Sequence, residues 1–478
     1  MSIKYLYDRK KIAITYGEQK YSYADVIKYV NFYSDFLDIE KGDRSALMME
    51  NRPESIFSFF SIWARKGIAI SLDAGYTVDQ LAYVLGDSEP KYLFISNKTK
   101  EVAEAANSKL NNAIKIINVD ELQMPADYKI KQEEFSNDSN EDVAVLVYTS
   151  GTTGNPKGVM ITYENIETNM AGVRAVDLVN ETDVILAMLP YHHIMPLCFT
   201  LILPMYLGVP IVLLTEISSA SLLKTLQENR VTVIVGVPRV WEMLDKAIMT
   251  KINQSSVAKF MFKLASKTNS MSIRKMLFSK VHKQFGGHIR LMVSGGAKID
   301  KNILEDFRTM GFRAIQGYGM TETAPIIAFN VPGRERSDSV GEVIPNVEVK
   351  IADDGEVLVK GKNVMKGYYK NEAATKEAFD AEGWFHTGDL GKMDGKYLII
   401  IGRKKEMIVL PNGKNIDPND IEAEIMKNTD LIKEIAVTEY NEQLVAIIYP
   451  DFEKLQAQQI VNIKDAIKWE VIDKYNVT

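Results

Sequence analysis

The sequence predicts an α/β protein: a large N-terminal domain of helix-covered, mostly parallel sheets with a β-rich subdomain, and then a small α+β C-terminal domain. With 478 residues the chain is too long for one ordinary domain. Its middle part alternates short β-rich runs with amphipathic stretches, which is typical of parallel strands joined by helices. From about Gly341 the pattern changes to hairpins. The predicted fold class rests on the chain length, on the alternation of strands and helices, and on the change to hairpins after residue 341.

The alternating pattern predicts strands and helices in turn. Apolar, β-branched runs predict strands at 143–148, 184–189, 210–213, 231–235 and 291–294. Amphipathic stretches predict helices at 163–173, 220–230, 239–248 and 301–310. The longest apolar run, 201–214, contains prolines and a glycine and is short for a membrane span. We interpret that run as buried helix, turn and strand.

The hairpin region precedes the predicted domain boundary. Strands expected at 347–351 and 356–359 flank Asp354-Gly355, a strong turn signal. A further strand at 396–401 leads into the charged segment 402–406. We therefore predict a large domain at 1–402, a hinge at 403–406 and a small domain at 407–478.

Composition narrows the class of protein. The chain is 46% hydrophobic and 25% charged, as expected of a globular protein with a substantial core. The formal net charge is −6, so nothing in the overall charge points to nucleic acid. A single cysteine, Cys198, excludes an internal disulfide framework and fits a reducing compartment. Because the N-terminus has no apolar core of signal-peptide length, we expect a cytoplasmic protein.

A loop from Tyr148 to Gly158 is the strongest chemical feature. It follows an apolar strand and precedes a helix, and its glycines, hydroxyls and lysine are the groups that contact phosphate oxygens. The spacing is not that of a Walker loop. A flexible surface turn is the bland alternative, which this dense mixture of residue types disfavours. The candidate phosphate-binding residues are Thr149, Ser150, Gly151, Thr152, Thr153, Gly154 and Lys157.

With this loop, the sequence resembles the adenylate-forming superfamily of AMP-binding enzymes, which includes acyl-CoA synthetases, peptide-synthetase adenylation domains and luciferases. Four further segments match that superfamily in the expected order: Leu-Pro-Tyr-His-His at 189–193, Gly-Tyr-Gly-Met-Thr-Glu-Thr at 317–323, Trp-Phe-His-Thr-Gly-Asp at 384–389 and Gly-Arg-Lys-Lys-Glu at 402–406. The stretches 237–242 and 401–408 are similar to long-chain fatty acyl-CoA synthetases in particular.

The resemblance implies roles for segment 317–323, which contains Gly317 and Gly319. Tyr318 would stack on adenine, Thr321 would touch the α-phosphate and Glu322 would hold the metal. The chemistry agrees, because a carboxylate beside a triphosphate is repelled unless a hard cation such as Mg²⁺ lies between them. For Glu322 alone, a solvated acid at a helix start is the simpler reading.

Other nucleotide contacts are implied at the ribose and beside the acyl group. Asp389 would accept the ribose hydroxyls and Arg403 would approach the ribose and α-phosphate, although a Thr-Gly-Asp sequence by itself is a common turn. Lys405 would be the hinge between domains, against the alternative of a solvated basic cluster with Lys404. A turn between nucleotide and acyl group is implied at Gly295, Gly296 and Ala297.

An apolar acyl pocket is implied around His193, which matches an active-site histidine; a satisfied core histidine is the alternative. We expect His193 to position substrate rather than transfer a proton. The neighbouring segments carry no charge or amide that would recognise an amino acid's ammonium group. The other expected pocket residues are Ile194, Val237, Pro238 and Pro325.

The implied reaction uses ATP, Mg²⁺ and coenzyme A to activate a medium- or long-chain fatty acid through acyl-AMP. The catalytic residues would be Lys157, Thr321, Glu322, His193 and Arg403. Three alternatives remain: an aryl-acid–CoA ligase, a fatty acyl-AMP ligase that loads a carrier protein, and a nucleotide-binding protein without catalysis.

A basic segment at 251–298 has ten Lys or Arg residues and no Asp or Glu. Apolar Phe260, Met261, Leu264, Met276, Leu277 and Phe278 are interleaved at roughly helical spacing. The pattern suits peripheral contact with an anionic membrane. A solvated basic face over a core helix is the favoured alternative.

The C-terminal part departs from the resembled superfamily, whose members carry a late Gly-Lys motif that reaches the reacting carboxylate. After Gly413-Lys414 this sequence has no Gly-Lys pair. We therefore expect the small domain at 407–478 to be incomplete, through truncation or natural loss. Such a chain is expected to bind ATP and to form acyl-adenylate poorly.

Overall fold

A computed structural model describes residues 2–3, 10–132, 135–149, 155–409, 415–429, 431–440 and 443–469. The chain forms two compact units. The first unit comprises 1–349, 359–385 and 395–398, and the second comprises 350–358, 386–394 and 399–478. Strand segments on both sides of residues 402 and 403 belong to the second unit. The predicted domain boundary at this point therefore stays a prediction.

Strands and helices alternate from the first described residues. The strands are β1 (Ser2–Ile3), β2 (Ile12–Tyr16), β3 (Gln19–Ser22), β4 (Arg44–Met48), β5 (Ile68–Leu72), β6 (Tyr92–Ile95), β7 (Lys115–Asn118), β8 (Phe135–Ser136) and β9 (Val143–Thr149). The helices are α1 (Tyr23–Ser34), α2 (Pro53–Ala64), α3 (Val78–Ser88) and α4 (Lys100–Lys109), with a 3₁₀ turn at Val119–Glu121.

The same alternation continues after the predicted phosphate loop. The strands are β10 (Lys157–Thr162), β11 (Ile185–Ala187), β12 (Ile211–Leu213), β13 (Val233–Gly236), β14 (Leu291–Ser294), β15 (Ala314–Gly319) and β16 (Ile326–Phe329). The helices are α5 (Tyr163–Ala175), α6 (Ile194–Pro196), α7 (Leu203–Leu207), α8 (Ser219–Asn229), α9 (Pro238–Gln254), α10 (Ser256–Ser266), α11 (Met271–Leu277), α12 (Ser279–Gln284) and α13 (Lys301–Thr309), with a π-helix at Leu197–Ile202 and a 3₁₀ turn at Thr321–Thr323.

The late part of the chain is richer in hairpins, as predicted. Its strands are β17 (Gly341–Val343), β18 (Val347–Ile351), β19 (Glu356–Gly361), β20 (Gly367–Tyr368), β21 (Phe385–Asp394), β22 (Tyr397–Arg403), β23 (Ile408–Val409), β24 (Asn415–Ile416), β25 (Ile432–Tyr440) and β26 (Gln443–Pro450). Its helices are α14 (Glu372–Ala378), α15 (Pro418–Asn428), α16 (Phe452–Ala457) and α17 (Ile463–Ile467).

Two helix-covered sheets organise the first unit. One has the strand order β20-β10-β9-β5-β4-β6-β7, and its pairings among β9, β5, β4, β6 and β7 are parallel. The other contains β17-β16-β15-β14-β13-β11-β12-β2-β3, parallel from β15 through to β2. Such strands, buried on both faces, require apolar side chains throughout. The predicted fold class of helix-covered, mostly parallel sheets is confirmed.

The apolar run 201–214 folds as the sequence predicts. The π-helix and α7 are buried, and α7 ends at Gly208, whose φ of 69° is left-handed and favours glycine. Strand β12 follows at once and is buried at every position. Within the described residues, no helix is both long and apolar enough to cross a membrane.

Gly319, at the end of β15, has no room for a side chain. A Cβ there would lie 1.7 Å from the carbonyl oxygen of Pro325. We expect Gly319→Ala to lower the free energy of unfolding by about 3 kcal/mol or more, because the backbone itself must move. Urea denaturation measures this loss.

Gly86, inside α3, is the matched control for this prediction. A Cβ there would meet only Leu110 Cδ2, at 3.5 Å. Gly86→Ala should raise stability by about 0.5–1 kcal/mol through helix propensity. Equal effects of the two substitutions would contradict the predicted clash at Gly319.

Candidate active site

The predicted phosphate loop connects the antiparallel strands β9 and β10, so a strand and not a helix follows it directly, and α5 begins only at Tyr163. Thr149 pairs with Lys157 across this hairpin, so the two ends of the loop lie side by side. The hydroxyl of Tyr148 donates to Asp87, which anchors the hairpin on α3. Burial and the Asp87 carboxylate raise the Tyr148 pKa. The tip, with Ser150, Gly151, Thr152, Thr153 and Gly154, lies outside the described residues.

Lys157 and Glu322 meet on the two sides of one tyrosine. The Lys157 ammonium lies 5.2 Å from the centroid of the Tyr368 ring, a cation–π distance. The Tyr368 hydroxyl donates to Glu322 Oε1 over 2.8 Å. Burial and then the Glu322 charge raise the pKa of Tyr368, so the hydroxyl keeps its proton and remains a donor. The structure therefore brings the loop lysine and the predicted metal ligand together.

Sequence reasoning missed Tyr368, since it belongs to none of the matched motifs. Its position comes from the short antiparallel pairing of β20 with β10, in which Tyr368 lies opposite Val159. The N–H of Met365, just before β20, donates to the Glu322 carbonyl over 2.7 Å. Segment 365–368 therefore holds Glu322 through both its backbone and its side chain.

Helix α5 supports the turn that carries Thr321 and Glu322. The buried Asn169 amide donates to the Thr323 carbonyl over 3.1 Å and accepts from the Ile326 N–H over 2.7 Å. These bonds satisfy backbone groups that the tight turn leaves unpaired. Asn169 was not predicted either, since an asparagine in a helix gives no signal of a distant partner.

Gly317, Tyr318 and Gly319 form the end of β15, next to this turn. Tyr318 lies opposite Ala328 of β16 and is partly exposed. The proposed stacking of adenine on Tyr318 stays a prediction.

The Glu322 carboxylate fits a hard cation by its chemistry, since carboxylate oxygens are the protein ligands that Mg²⁺ prefers. No group of three or more acidic, histidine or cysteine side chains in the described residues could hold a metal alone. Glu322 is therefore at most one ligand of such an ion among the described residues, and its role as a metal ligand stays a prediction. Few protein ligands are usual for Mg²⁺ bound with phosphates.

The turn Gly295-Gly296-Ala297 follows β14 and touches two of the predicted pocket segments. The Gly295 N–H donates to the Gly236 carbonyl over 3.2 Å. A Cβ at Gly295 would lie 2.6 Å from Met195 Sδ, and one at Gly296 would lie 3.8 Å from Val237 Cγ1. The absence of a side chain at Gly295 thus allows Met195 to approach this turn, and Val237 lies next to Gly296.

A third predicted pocket segment joins this group. The buried Cys198 thiol, after Ile194 and its helix, donates to the Ala324 carbonyl over 3.7 Å, next to Pro325. Burial raises the Cys198 pKa far above its usual range, so the thiol is protonated and unreactive. Val237 is the N-cap of α9, which begins at Pro238. Segments 194–197 and 235–238 therefore both reach the Gly295 turn, and residue 198 reaches segment 324–325, whereas the pocket itself stays a prediction.

Asn51, after β4, shapes the motif at 189–193. Its amide donates to the Leu189 carbonyl over 2.7 Å and accepts the Tyr191 N–H over 3.2 Å. The rings of His192 and His193 lie 4.0 Å apart, and His192 Nε2 lies 3.7 Å from Asp73 Oδ2. Sequence reasoning named His193 alone and missed this link through its neighbour.

Both histidines favour the neutral form. Burial and the neighbouring His193 lower the His192 pKa to about 4, against the opposing effect of Asp73. Desolvation also lowers the His193 pKa, although part of that ring is exposed. Neutral rings suit the predicted positioning role, which stays a prediction.

Asp389, Arg403 and Lys405 belong to the second unit. Asp389 is buried on β21, and its carboxylate lies 3.3 Å from the half-exposed Arg403 guanidinium at the end of β22. Lys405 is exposed in the turn that follows β22. The two predicted ribose ligands are therefore neighbours, whereas the hinge role of Lys405 stays a prediction.

Buried Glu356 organises the second unit around Asp389. It accepts the Gly388 N–H over 2.9 Å and lies 3.0 Å from Lys404 Nζ and 3.2 Å from His386 Nδ1. Burial alone would raise the Glu356 pKa, but Lys404, the Gly388 amide and His386 together lower it. Glu356 was missed because the sequence shows it only as the residue after a hairpin turn.

Family comparison agrees with this geometry. The family described as AMP-binding enzyme matches residues 7–369, well over half of the chain. The chain belongs to the AMP-binding enzyme family. This confirms the resemblance to the adenylate-forming superfamily that five sequence segments indicated.

Relatives of this AMP-binding enzyme include two proteins named as long-chain-fatty-acid–CoA ligases. FadD15 of Mycobacterium bovis is 29% identical over 90% of this chain and 76% of its own length. Long-chain-fatty-acid–CoA ligase 1 of Cavia porcellus is 30% identical over 86% of this chain and 66% of its own.

Solved structures share the fold. O-succinylbenzoate coenzyme A synthetase (MenE) of Bacillus subtilis, in complex with ATP and magnesium ion, has a TM-score of 0.74 at 27% identity. The match covers 92% of this chain and 86% of that one. ATP-bound MatB of Rhodopseudomonas palustris has a TM-score of 0.77 at 24% identity, over 97% and 93% of the two chains. The MatB match shows the fold alone.

The lowered His192 pKa predicts a pH-dependent stability. Between about pH 4 and 6.5 the unfolded state binds more protons at this site than the folded state, so stability rises with pH across this window. His192→Gln should flatten that rise in urea denaturation measured at several pH values. The exposed His288→Gln is the control and should leave the slope unchanged. An unaltered slope in His192→Gln would show that this ring is not desolvated.

Glu356→Gln should loosen the turn at Asp389, because it removes the charge that Lys404 and His386 face. We expect a loss of about 1–3 kcal/mol of stability, together with weaker ATP binding in calorimetry. Glu434→Gln, at an exposed position of the same unit, is the control and should change neither quantity. Unchanged ATP affinity in Glu356→Gln would contradict the role of this turn in nucleotide binding.

Proposed function

We propose that this AMP-binding enzyme activates a medium- or long-chain fatty acid with ATP and transfers the acyl group to coenzyme A, releasing AMP and pyrophosphate. The observation that carries the proposal is the Lys157–Tyr368–Glu322 arrangement, within the same unit as a group of converging apolar segments. The relatives named as long-chain-fatty-acid–CoA ligases support the acyl class.

The first half-reaction joins a substrate carboxylate to the α-phosphorus of ATP. A P–O bond to the acid forms in line as the bond to pyrophosphate breaks, so positioning and charge neutralisation provide most of the rate. Lys157 places a cation at the leaving phosphates, and Tyr368 orients the Glu322 carboxylate. Mg²⁺ held by Glu322 would neutralise phosphate charge. Asp389 and Arg403 would hold the ribose and α-phosphate.

The second half-reaction needs a thiol, since AMP leaves when sulfur attacks the acyl carbonyl. The chain's only cysteine, Cys198, is buried and protonated, so it is unsuited to this role. Coenzyme A is therefore the proposed acceptor, and the turn after Arg403 with Lys405 is the proposed hinge that admits it.

The apolar character of the pocket segments supports a hydrocarbon substrate. Ile194 and Leu197 are buried, and the contacts of Gly295, Val237 and Ala324 described above involve carbon, sulfur and backbone atoms. Each buried methylene of a fatty acid contributes about 0.8 kcal/mol. Such a pocket gains affinity with chain length.

An aryl acid is the second candidate substrate. The match to MenE, whose name includes the aromatic acid o-succinylbenzoate, favours it. A carrier protein remains the alternative acceptor, and a nucleotide-binding protein without catalysis remains the alternative to any ligase.

ATP–pyrophosphate exchange with acids from acetate to palmitate, and with benzoate, tests the proposal. Exchange is expected to be slow, because no Gly-Lys pair follows Gly413-Lys414, but it should increase with chain length and be lowest with acetate. Maximal exchange with benzoate would favour the aryl-acid candidate. Bound ATP without exchange for any acid would support the non-catalytic alternative. Coenzyme A and an acyl carrier protein, compared as acceptors, separate the two remaining ligases.

Variants connect that activity to the site. Glu322→Gln should lower exchange by about 100-fold or more, because it removes charge at the phosphates. Tyr368→Phe should lower it roughly 10-fold by freeing the Glu322 carboxylate. Tyr369→Phe, at the next residue, is the control and should be neutral. Full activity of Tyr368→Phe would contradict the positioning role of its hydroxyl.

A further inference from the structure

Helices α10 and α11 expose a row of apolar side chains, here called the exposed stripe. On α10 it contains Val257, Phe260 and Leu264, which are 69%, 68% and 48% exposed. On α11 it contains Ile273 and Met276, which are 44% and 67% exposed. The spacings of three and four residues place each set on one face of its helix.

The exposed stripe is separate from the face that packs on the core. Ala258, Met261 and Phe262 of α10 pack against the core cluster that includes Phe278 and Ala265. Of the apolar residues that the sequence pattern grouped together, Met261, Leu277 and Phe278 therefore belong to the interior. Burial in the fold accounts for one apolar face of α10 and leaves the other in solvent.

Lysines border the exposed stripe. Lys259, Lys263 and Lys267 recur every four residues and are exposed. At about 100° per residue they lie beside Phe260 and Leu264, on the side away from the core. The segment 251–298 contains no acidic residue, whereas the whole chain has a net charge of −6. This surface is thus a local concentration of positive charge next to exposed hydrocarbon.

Hydrogen bonds and ring packing connect the two helices to each other and to α13. The Arg274 guanidinium donates to the carbonyls of Ala265 and Thr268, over 3.2 and 2.9 Å, and to that of Arg308 over 3.1 Å. The Phe262 and Phe278 rings pack edge to face, with centroids 6.0 Å apart. The stripe therefore needs no ordering before it meets a partner, which lowers the entropy cost of binding.

We propose that the exposed stripe and its bordering lysines bind the surface of an anionic lipid bilayer. Apolar side chains would enter the acyl boundary while the lysines contact lipid phosphates. A symmetric contact between two copies would instead place like charges against each other. Binding is peripheral, since no helix in the described residues could span the bilayer. The proposal does not depend on the enzymatic activity proposed above.

Co-sedimentation of the full chain with vesicles tests this surface. At low salt we expect binding to phosphatidylcholine vesicles that contain phosphatidylglycerol, and little binding to phosphatidylcholine alone. Raising the salt concentration should weaken binding by screening the lysines. No binding to the anionic vesicles at low salt would overturn the proposal.

Two sets of variants separate charge from apolar contact. The triple variant Lys259→Gln, Lys263→Gln, Lys267→Gln should reduce partitioning on the order of 100-fold. The double variant Phe260→Ser, Met276→Ser should reduce it roughly 10-fold or more. Thermal melts report whether each variant remains folded, which is expected because all five side chains are exposed.

Matched controls change exposed residues elsewhere in the chain. Lys20→Gln, Lys129→Gln, Lys224→Gln removes the same charge, and Ile217→Ser, Val461→Ser removes apolar side chains that are 82% and 96% exposed. Both controls should bind vesicles as the unmodified chain does. Equal losses in controls and stripe variants would overturn the proposal. So would self-association that the stripe variants abolish, since it would identify a second copy as the partner.

Discussion

The hydrogen bond from the Tyr368 hydroxyl to the Glu322 carboxylate is the interaction on which the candidate nucleotide site depends. It orients the only carboxylate of the segment 317–323, and the same ring faces the Lys157 ammonium. Because burial and the carboxylate raise the Tyr368 pKa, the hydroxyl stays a donor across the physiological range. The Tyr368 side chain, on strand β20, therefore contacts both the lysine of the predicted phosphate loop and the predicted metal ligand.

Polar side chains hold several turns through hydrogen bonds to backbone groups. Asn169 satisfies both a carbonyl and an N–H beside Glu322, and Asn51 does the same for the motif before His193. In the second unit, Glu356 has the equivalent task for the turn at Asp389. Such groups are costly to bury unpaired, so each one favours a single arrangement of its turn.

Elements with a local sequence pattern were predictable, whereas contacts between residues far apart in the chain were not. Strand β14 was predicted residue for residue, since three apolar residues between Arg290 and Ser294 give a local signal. The convergence of Met195, Gly295 and Val237 was expected only from the family resemblance. Tyr368, Asn169, Asn51 and Glu356 gave no signal, because each acts through a hydrogen bond to a residue outside its own element. The basic segment was predictable only in part. Its pattern of charged and apolar residues is visible in the sequence, but only the structure shows that Phe260 is exposed and Phe278 is buried.

By itself, the amino-acid sequence determined the family and the fold class. It also predicted the phosphate loop, since glycine, hydroxyl and lysine residues in one short run indicate phosphate binding locally. It also determined that no Gly-Lys pair follows Gly413-Lys414. Tertiary structure alone decided which side chains meet. The register of β10 with β20 places Tyr368 between Lys157 and Glu322, and the packing of α10 decides which of its apolar faces remains in water. Both depend on contacts between segments far apart in the chain, which local residue patterns do not encode.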